Sequence, residues 1–277
     1  MIRSTPSHPM ATGKTIVVFG LLSLVGLTGL FDGCSRSHPA AATPSANPAA
    51  WTRPEAARIP HTPEGDSIRL GKQIFDETPK YASANVGNRV ACSDCHIQSG
   101  KAAYAAPMVD VPGLFPMFNK RAGHVISLQE RIQECFVRSE NGSPPQKDSK
   151  EMKALMAYIT WLSPDDEKGE IYPGQDFVKL PELAGNPKHG EAVYAQQCAG
   201  CHGSNGAGVP PILPPVWGTG SYNDGAGMND PYKMAAFLFH NMPQNHPGTL
   251  SPQDAYDVAA FIHGKPRPKL NPAYKHY

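Results

Sequence analysis

At 277 residues the chain is long for one domain and suits two modest ones, since domains usually run about 100–150 residues. Lys plus Arg number 25 against 24 Asp plus Glu, a formal charge of +1, which leaves no basic excess to neutralise a nucleic-acid backbone and argues against that partner. Only 40% of residues are hydrophobic while 29 are Pro and 26 are Gly, a balance that predicts short helices, many turns and a thin core that something else must fill.

Residues 1–34 read as an export leader. Arg3 and Lys14 precede an apolar run from Ile16 to Phe31, too short for a span that normally needs about 20 residues. Cys34 ends Leu30-Phe31-Asp32-Gly33-Cys34, which resembles a bacterial lipoprotein cleavage box with an unusual Phe and Asp in it. A lipid anchor at Cys34 therefore stands beside two other readings, ordinary cleavage near Ala40-Ala41-Ala42 and an uncleaved anchor. All three put the body of the protein outside the cytoplasmic membrane, in the periplasm. Residues 35–62 are rich in Ala, Pro, Ser and Thr with no apolar period, and they read as a flexible tether.

Residues 63–170 form the first predicted domain. A short helix carries Gly71-Lys-Gln-Ile74-Phe75, and beyond it comes Cys92-Ser-Asp-Cys95-His96. Two thiols three apart lie on one side of a helical turn and can add to the two vinyl groups of a haem, while the next residue turns an imidazole toward the iron. A second copy, Cys198-Ala-Gly-Cys201-His202, makes accident untenable, because chance would supply roughly 0.005 such motifs in a chain of this composition. Structural zinc is the rival for any CxxC, but both copies carry the adjacent His and lack a second Cys pair. Two covalently attached haem c groups are expected, at Cys92, Cys95, Cys198 and Cys201, with His96 and His202 as proximal iron ligands.

Farther along, Ser127 and Glu130 form a capping box and Gly142 offers a stop, which predicts a helix of about three turns. Arg131, Cys135 and Ser139 fall on one stripe of it, with Arg138 close beside. Cys135 lies 39 residues beyond His96, where a distal ligand would come from, although a lone cysteine is also often a small buried hydrophobe. Met108, Met117 and His124 compete for the same position. A closing helix follows at Glu151–Leu162, with Met152, Leu155, Met156, Ile159 and Leu162 on its apolar stripe.

Residues 171–186, rich in Pro and Gly, read as a linker, and residues 187–277 as the second domain. Asn186 before Pro187 caps a helix carrying Gly190-Glu-Ala-Val193-Tyr194, which repeats the Gly and apolar spacing upstream of the first motif. Ser251, Pro252 and Asp254 mark the start of a closing helix whose stripe is Ala255, Val258, Ala259 and Ile262. Just before it, Met242-Pro243 lies 40 residues beyond His202, the place of a thioether ligand, with Met228 and Met234 as rivals. Each half is thus helix, haem motif, long loop and closing helix. The predicted fold is mainly α, two cytochrome c-like haem domains in tandem.

From about Gly65 to Pro268 the chain resembles the dihaem thiosulfate dehydrogenases. The resemblance rests on Arg131-Ile132-Gln-Glu-Cys135-Phe136-Val-Arg138-Ser139-Glu-Asn141-Gly142, on Glu151-Met152-Lys-Ala-Leu155 with Trp161-Leu162-Ser163, and on Trp217-Gly218 through Asn223-Asp224-Gly225-Ala226-Gly227-Met228. It implies a first haem ligated by His96 and Cys135, where thiosulfate reacts near Arg131 and Ser139, and a second ligated by His202 and Met242 that passes electrons on. Some members carry a lysine beside the distal methionine. Asn241 stands there in this chain, so methionine is expected in both redox states.

The implied reaction joins two thiosulfates into tetrathionate and delivers two electrons to a soluble or membrane cytochrome c-type acceptor. Two dianions must meet, and Arg131 is the first choice to offset their repulsion, with Arg138 and the Lys120-Arg121 pair behind it. The resemblance also implies that the Cys135 sulfur binds a sulfane sulfur covalently during turnover. Two other classes compete: a dihaem electron shuttle without a substrate pocket, and the dihaem subunit of a multi-protein thiosulfate-oxidising complex.

Overall fold

The computed structural model describes residues 58–163 and 174–277, all within one compact unit, Ala41–Tyr277. The leader, Cys34 and most of the stretch read as a tether lie outside the described residues.

Two separate apolar cores are present. The first gathers buried residues from Ile59 to Leu162, the second from Leu180 to Ile262. Around the first run α1 (Pro63–Asp76), α2 (Thr78–Tyr81), α3 (Cys92–Cys95) and α4 (Ile97–Gly100), the last a turn with Gln98 and Ser99 at positive φ. A two-stranded antiparallel hairpin follows, β1 (Met117–Asn119) paired with β2 (His124–Ile126), then α5 (Leu128–Arg138) and α6 (Lys150–Trp161). The second core is built by α7 (Pro187–Gln197), α8 (Ala199–His202), α9 (Pro231–Asn241) and α10 (Pro252–His263).

The internal repeat has a packing cause. A Cβ on Gly71 would sit 2.0 Å from the Ala154 carbonyl oxygen of α6, and one on Gly190 would sit 1.9 Å from the Asp257 carbonyl oxygen of α10. In both domains, then, the first helix crosses the last at a glycine, because only there can the backbones approach so closely. One turn later Phe75 packs on Tyr158 with ring centroids 5.6 Å apart, and Tyr194 packs on Phe261 at 5.4 Å. The expected caps are in place. Asn186 accepts from the amides of Lys188 and His189, Ser251 accepts from Asp254, and Ser127 and Glu130 exchange hydrogen bonds at the head of α5.

Several details differ from the expectation. Ile59, inside the stretch read as tether, is buried in the first core. Leu180, inside the stretch read as linker, is buried in the second, with Phe177 and Val178 against it. The apolar residues are too sparse there to show a period, yet each has a core to reach. α5 ends at Arg138, and Asn141 rather than Gly142 takes the left-handed conformation, at φ 47°. α9 was not expected: it buries Ala235, Ala236, Phe237 and Phe239 and so shows no clean amphipathic stripe.

Candidate functional site

α3 and α5 meet at a cleft lined by Cys92, Cys95, His96, Cys135, Ser139 and Glu140, with Met108 and Phe136 among the apolar walls. The structure thus brings the first motif together with the stripe predicted on α5.

His96 Nδ1 lies 2.5 Å from the Ala106 carbonyl oxygen. Burial, with the Arg131 charge adding to it, pushes the imidazole down to about 4, so Nδ1 carries the proton, donates it to Ala106, and leaves the Nε2 lone pair free. That is how a metal-ligating histidine is oriented. His202 is arranged in the same way, with Nδ1 2.9 Å from the Pro214 carbonyl oxygen. Both motifs therefore fit a haem on an observation beyond spacing: each imidazole is already held by its non-ligating nitrogen.

Arg131 Nη1 donates to Cys135 Sγ at 3.4 Å and to the Glu134 carboxylate at 3.1 Å. The Arg131 side chain is 42% exposed while that of Glu134 is 3% exposed, so the guanidinium spans the boundary between solvent and cleft. The Cys135 sulfur, then Glu134, holds Arg131 above its ordinary range, firmly charged. Asn119 Nδ2 donates to both Glu134 oxygens at 3.0 Å, tying the hairpin to α5. Ser139 caps α5 and offers its carbonyl to Asn88 Nδ2 at 2.7 Å.

The competitors separate. Met117 and His124 lie exposed on the hairpin and do not line the cleft, whereas Met108 does. Lys120 and Arg121 are exposed at the hairpin turn. Arg138, weighed as a cation for substrate, has another job: only 4% exposed, it donates to the carbonyl of Gly225 at 3.3 Å and to the main-chain oxygen of Tyr277 at 2.7 Å. Its partners come from the second domain, out of reach of any local reading of α5.

The same seam accounts for other residues on which the resemblance rests. Asn223 Nδ2 donates to the Val137 carbonyl at 2.8 Å and to Asn141 Oδ1 at 3.0 Å, and a Cβ on Gly225 would stand 2.8 Å from Arg138 Nη1. Glu140, in the same run between Ser139 and Asn141, is a residue to which the sequence pattern attaches no role. Only 1% exposed in the cleft, its Oε2 has no partner, and burial holds its carboxyl well above the usual carboxylate range. The signal for it was position, one residue past Ser139 on the descending chain.

In the second domain Met242 is the residue that ends α9, partly buried against the core. Met234 is buried within that helix, and Met228 lies in a 3-10 turn where its carbonyl is 3.1 Å from His263 Nε2.

Residues 78–167 match the family model for the SoxA/TsdA cytochrome c domain, and residues 185–262 match that for cytochrome c oxidase, cbb3-type, subunit III. The chain is 38% identical over 222 residues to the thiosulfate dehydrogenase of Stutzerimonas stutzeri, covering 78% of this chain and 72% of that protein. It is 37% identical over 258 residues to that of Thiomonas intermedia, covering 87% and 82%. With that of Allochromatium vinosum it shares 38% over 229 residues, covering 79% and 85%. Among solved structures it superposes on thiosulfate dehydrogenase (TsdBA) from Marichromatium purpuratum in the as-isolated form, with TM-score 0.73 and 34% identity over 77% of this chain. It spans about half of that longer protein, 48%.

Proposed function

Because the chain belongs to the thiosulfate dehydrogenase family and is built of cytochrome c domains, we propose that it carries two covalent haem c groups in the periplasm and oxidises two thiosulfates to tetrathionate. The observation that carries this reading is the Arg131 guanidinium against the Cys135 sulfur, at 3.4 Å, in the cleft of the first CxxCH motif. A plain shuttle needs no cation at that sulfur.

His96 and Cys135 would hold the first iron, and His202 and Met242 the second. Haem c bound at each motif supplies a one-electron acceptor, so the pair can take both electrons that the reaction releases. Forming one S–S bond between the terminal sulfurs of two thiosulfates releases two electrons and no proton, so the chain need supply no general base. Its task is electrostatic. Arg131 attracts and orients the dianions, and its half-exposed position lets it meet them at the mouth of the cleft. Glu134 and Asn119 fix the guanidinium in place, and Ser139 offers a hydroxyl on the same wall. Met242 and His202 serve the onward transfer to a cytochrome c-type acceptor.

The purified protein with thiosulfate and ferricyanide, and nothing else, is expected to accumulate tetrathionate. No product without a partner protein would assign the chain to a multi-protein complex, and no thiosulfate consumption at all would leave a shuttle. Its mass should exceed that of the processed chain by two haems that acid-acetone does not extract. A single haem would remove one of the two motifs from the reading. Met242→Leu should abolish the weak thioether charge-transfer band at the red end of the visible spectrum in the oxidised protein. An unchanged band would hand the position to Met228 or Met234.

A further inference from the structure

Asn241 closes α9 directly before Met242 and is only 8% exposed. An amide nitrogen carries two hydrogens, and here both are used. Asn241 Nδ2 donates to the Phe237 carbonyl of its own helix at 3.1 Å and to the Tyr104 carbonyl, 137 residues earlier in the chain, at 3.2 Å. The first bond fixes the side chain on the last turn of α9, and the second ties that turn to the first domain. Beside it the His240 and Tyr104 rings meet edge-on, with centroids 4.7 Å apart.

Tyr104 belongs to the loop that orients His96. Two residues on, the Ala106 carbonyl accepts from His96 Nδ1 at 2.5 Å. Tyr104 and Ala106 both sit in the left-handed region, at φ 60° and 48°, which residues with side chains hold only where the surroundings over-determine the backbone. The supports are identifiable. Tyr104 N donates to the Gly174 carbonyl at 2.7 Å, Gln175 Nε2 donates to the Pro107 carbonyl at 3.2 Å, and Asn241 holds the Tyr104 carbonyl. A chain of covalent and hydrogen bonds thus runs from His96 through Ala106 and Tyr104 to Asn241 and on to Met242.

We propose that Asn241 is a positioning residue shared by the two iron sites, holding the Met242 end of α9 and the loop that orients His96 in one fixed arrangement. This rests on His96 and Met242 as iron ligands, the reading given above, and not on the thiosulfate reaction. Coupling of this kind is reciprocal, so a change in the link reaches both ligands. For His96, the bond to Ala106 makes the imidazole a stronger donor to a metal. For Met242, the bond to Tyr104 fixes where the thioether can reach. Loosening the link therefore has opposite effects at the two sites: a weaker histidine donor raises a haem potential, and a strayed thioether lowers it.

Redox titration of the two-haem protein without substrate tests this. Asn241→Leu, close in size and without donors, is expected to lower the midpoint potential of the second haem by about 59 mV, tenfold in its reduction equilibrium. Its thioether charge-transfer band should weaken at the same time, and the first haem's potential should rise. Gln175→Ala removes a different support from the same loop, so it should raise the potential of the first haem alone. A merely structural asparagine would give another pattern, because loosened packing lets water reach both haems and lowers both potentials together. If Asn241→Leu does not fold, Asn241→Ala, which crowds nothing, is read in its place. Parent potentials, a first haem that does not move, or a shift of both haems in one direction would overturn the proposal. Failure of the ligand reading shows separately, as an unchanged band in Met242→Leu.

Discussion

Cys135→Ala is expected to bring thiosulfate turnover to background while the protein still folds with both haems. The sulfur stands in the cleft with His96, and Arg131 Nη1 is 3.4 Å from it, so its loss removes both the proposed distal ligand and the group against which the guanidinium is set. The first haem's absorption and EPR signals should change, with water or a neighbouring side chain taking the position. Met108 is the methionine lining the same cleft and the first candidate to replace it. The second haem should keep its spectrum and its exchange with dithionite and an added cytochrome, because Cys135 is on α5 whereas His202 ends α8 and Met242 packs against the second core. A merely buried cysteine would behave otherwise: truncation would cost about 1 kcal/mol of stability and leave spectra and turnover intact. Tetrathionate formation that survives Cys135→Ala would refute the proposed chemistry and leave the two-domain fold untouched.

What could be read from the chain beforehand was whatever short-range chemistry dictates. Thioether attachment demands a fixed spacing, so both motifs were visible. The capping box at Ser127 and Glu130 and the Arg131–Cys135 contact follow from helix geometry within one turn, and all are present. The glycines at 71 and 190 showed as a weak repeat, but their reason, a helix crossing more than 60 residues away in sequence, needed the fold. α9 carried its start signals, Asp230 as cap and Pro231 in the first turn. It was missed because a helix buried on most sides has no polar face to set a period. Arg138 shows the limit most clearly. On α5 it lies beside the same stripe as a substrate cation, and only the carbonyls of the second domain reveal that its charge is held in the seam. Local rules place side chains on a helix face, while the partner of that face comes from elsewhere in the chain.

Arg131→Leu should lower kcat/KM on the order of a hundredfold, about 2.7 kcal/mol, with haem content unchanged. The size follows from position. A guanidinium 42% exposed is partly screened, so it cannot act at the full strength of a buried charge, yet it is fixed by a carboxylate that is only 3% exposed and aimed at the sulfur. Removing it withdraws the positive charge from the mouth of the cleft just where two dianions must come together. It also strips Glu134 of its ion pair, although Asn119 still donates to both carboxylate oxygens, so some loss of stability is expected and must be measured beside the kinetics. Arg131→Lys separates the two effects, since it keeps the charge and loses the planar guanidinium whose Nη1 serves Glu134 and Cys135 together. Capture by the parent should weaken as salt is raised, and capture by the leucine variant should respond much less, because its main attraction has gone. If Arg131→Leu stays within twofold of the parent at low salt, the guanidinium is a solvated face of α5 and the dianions are held by something else.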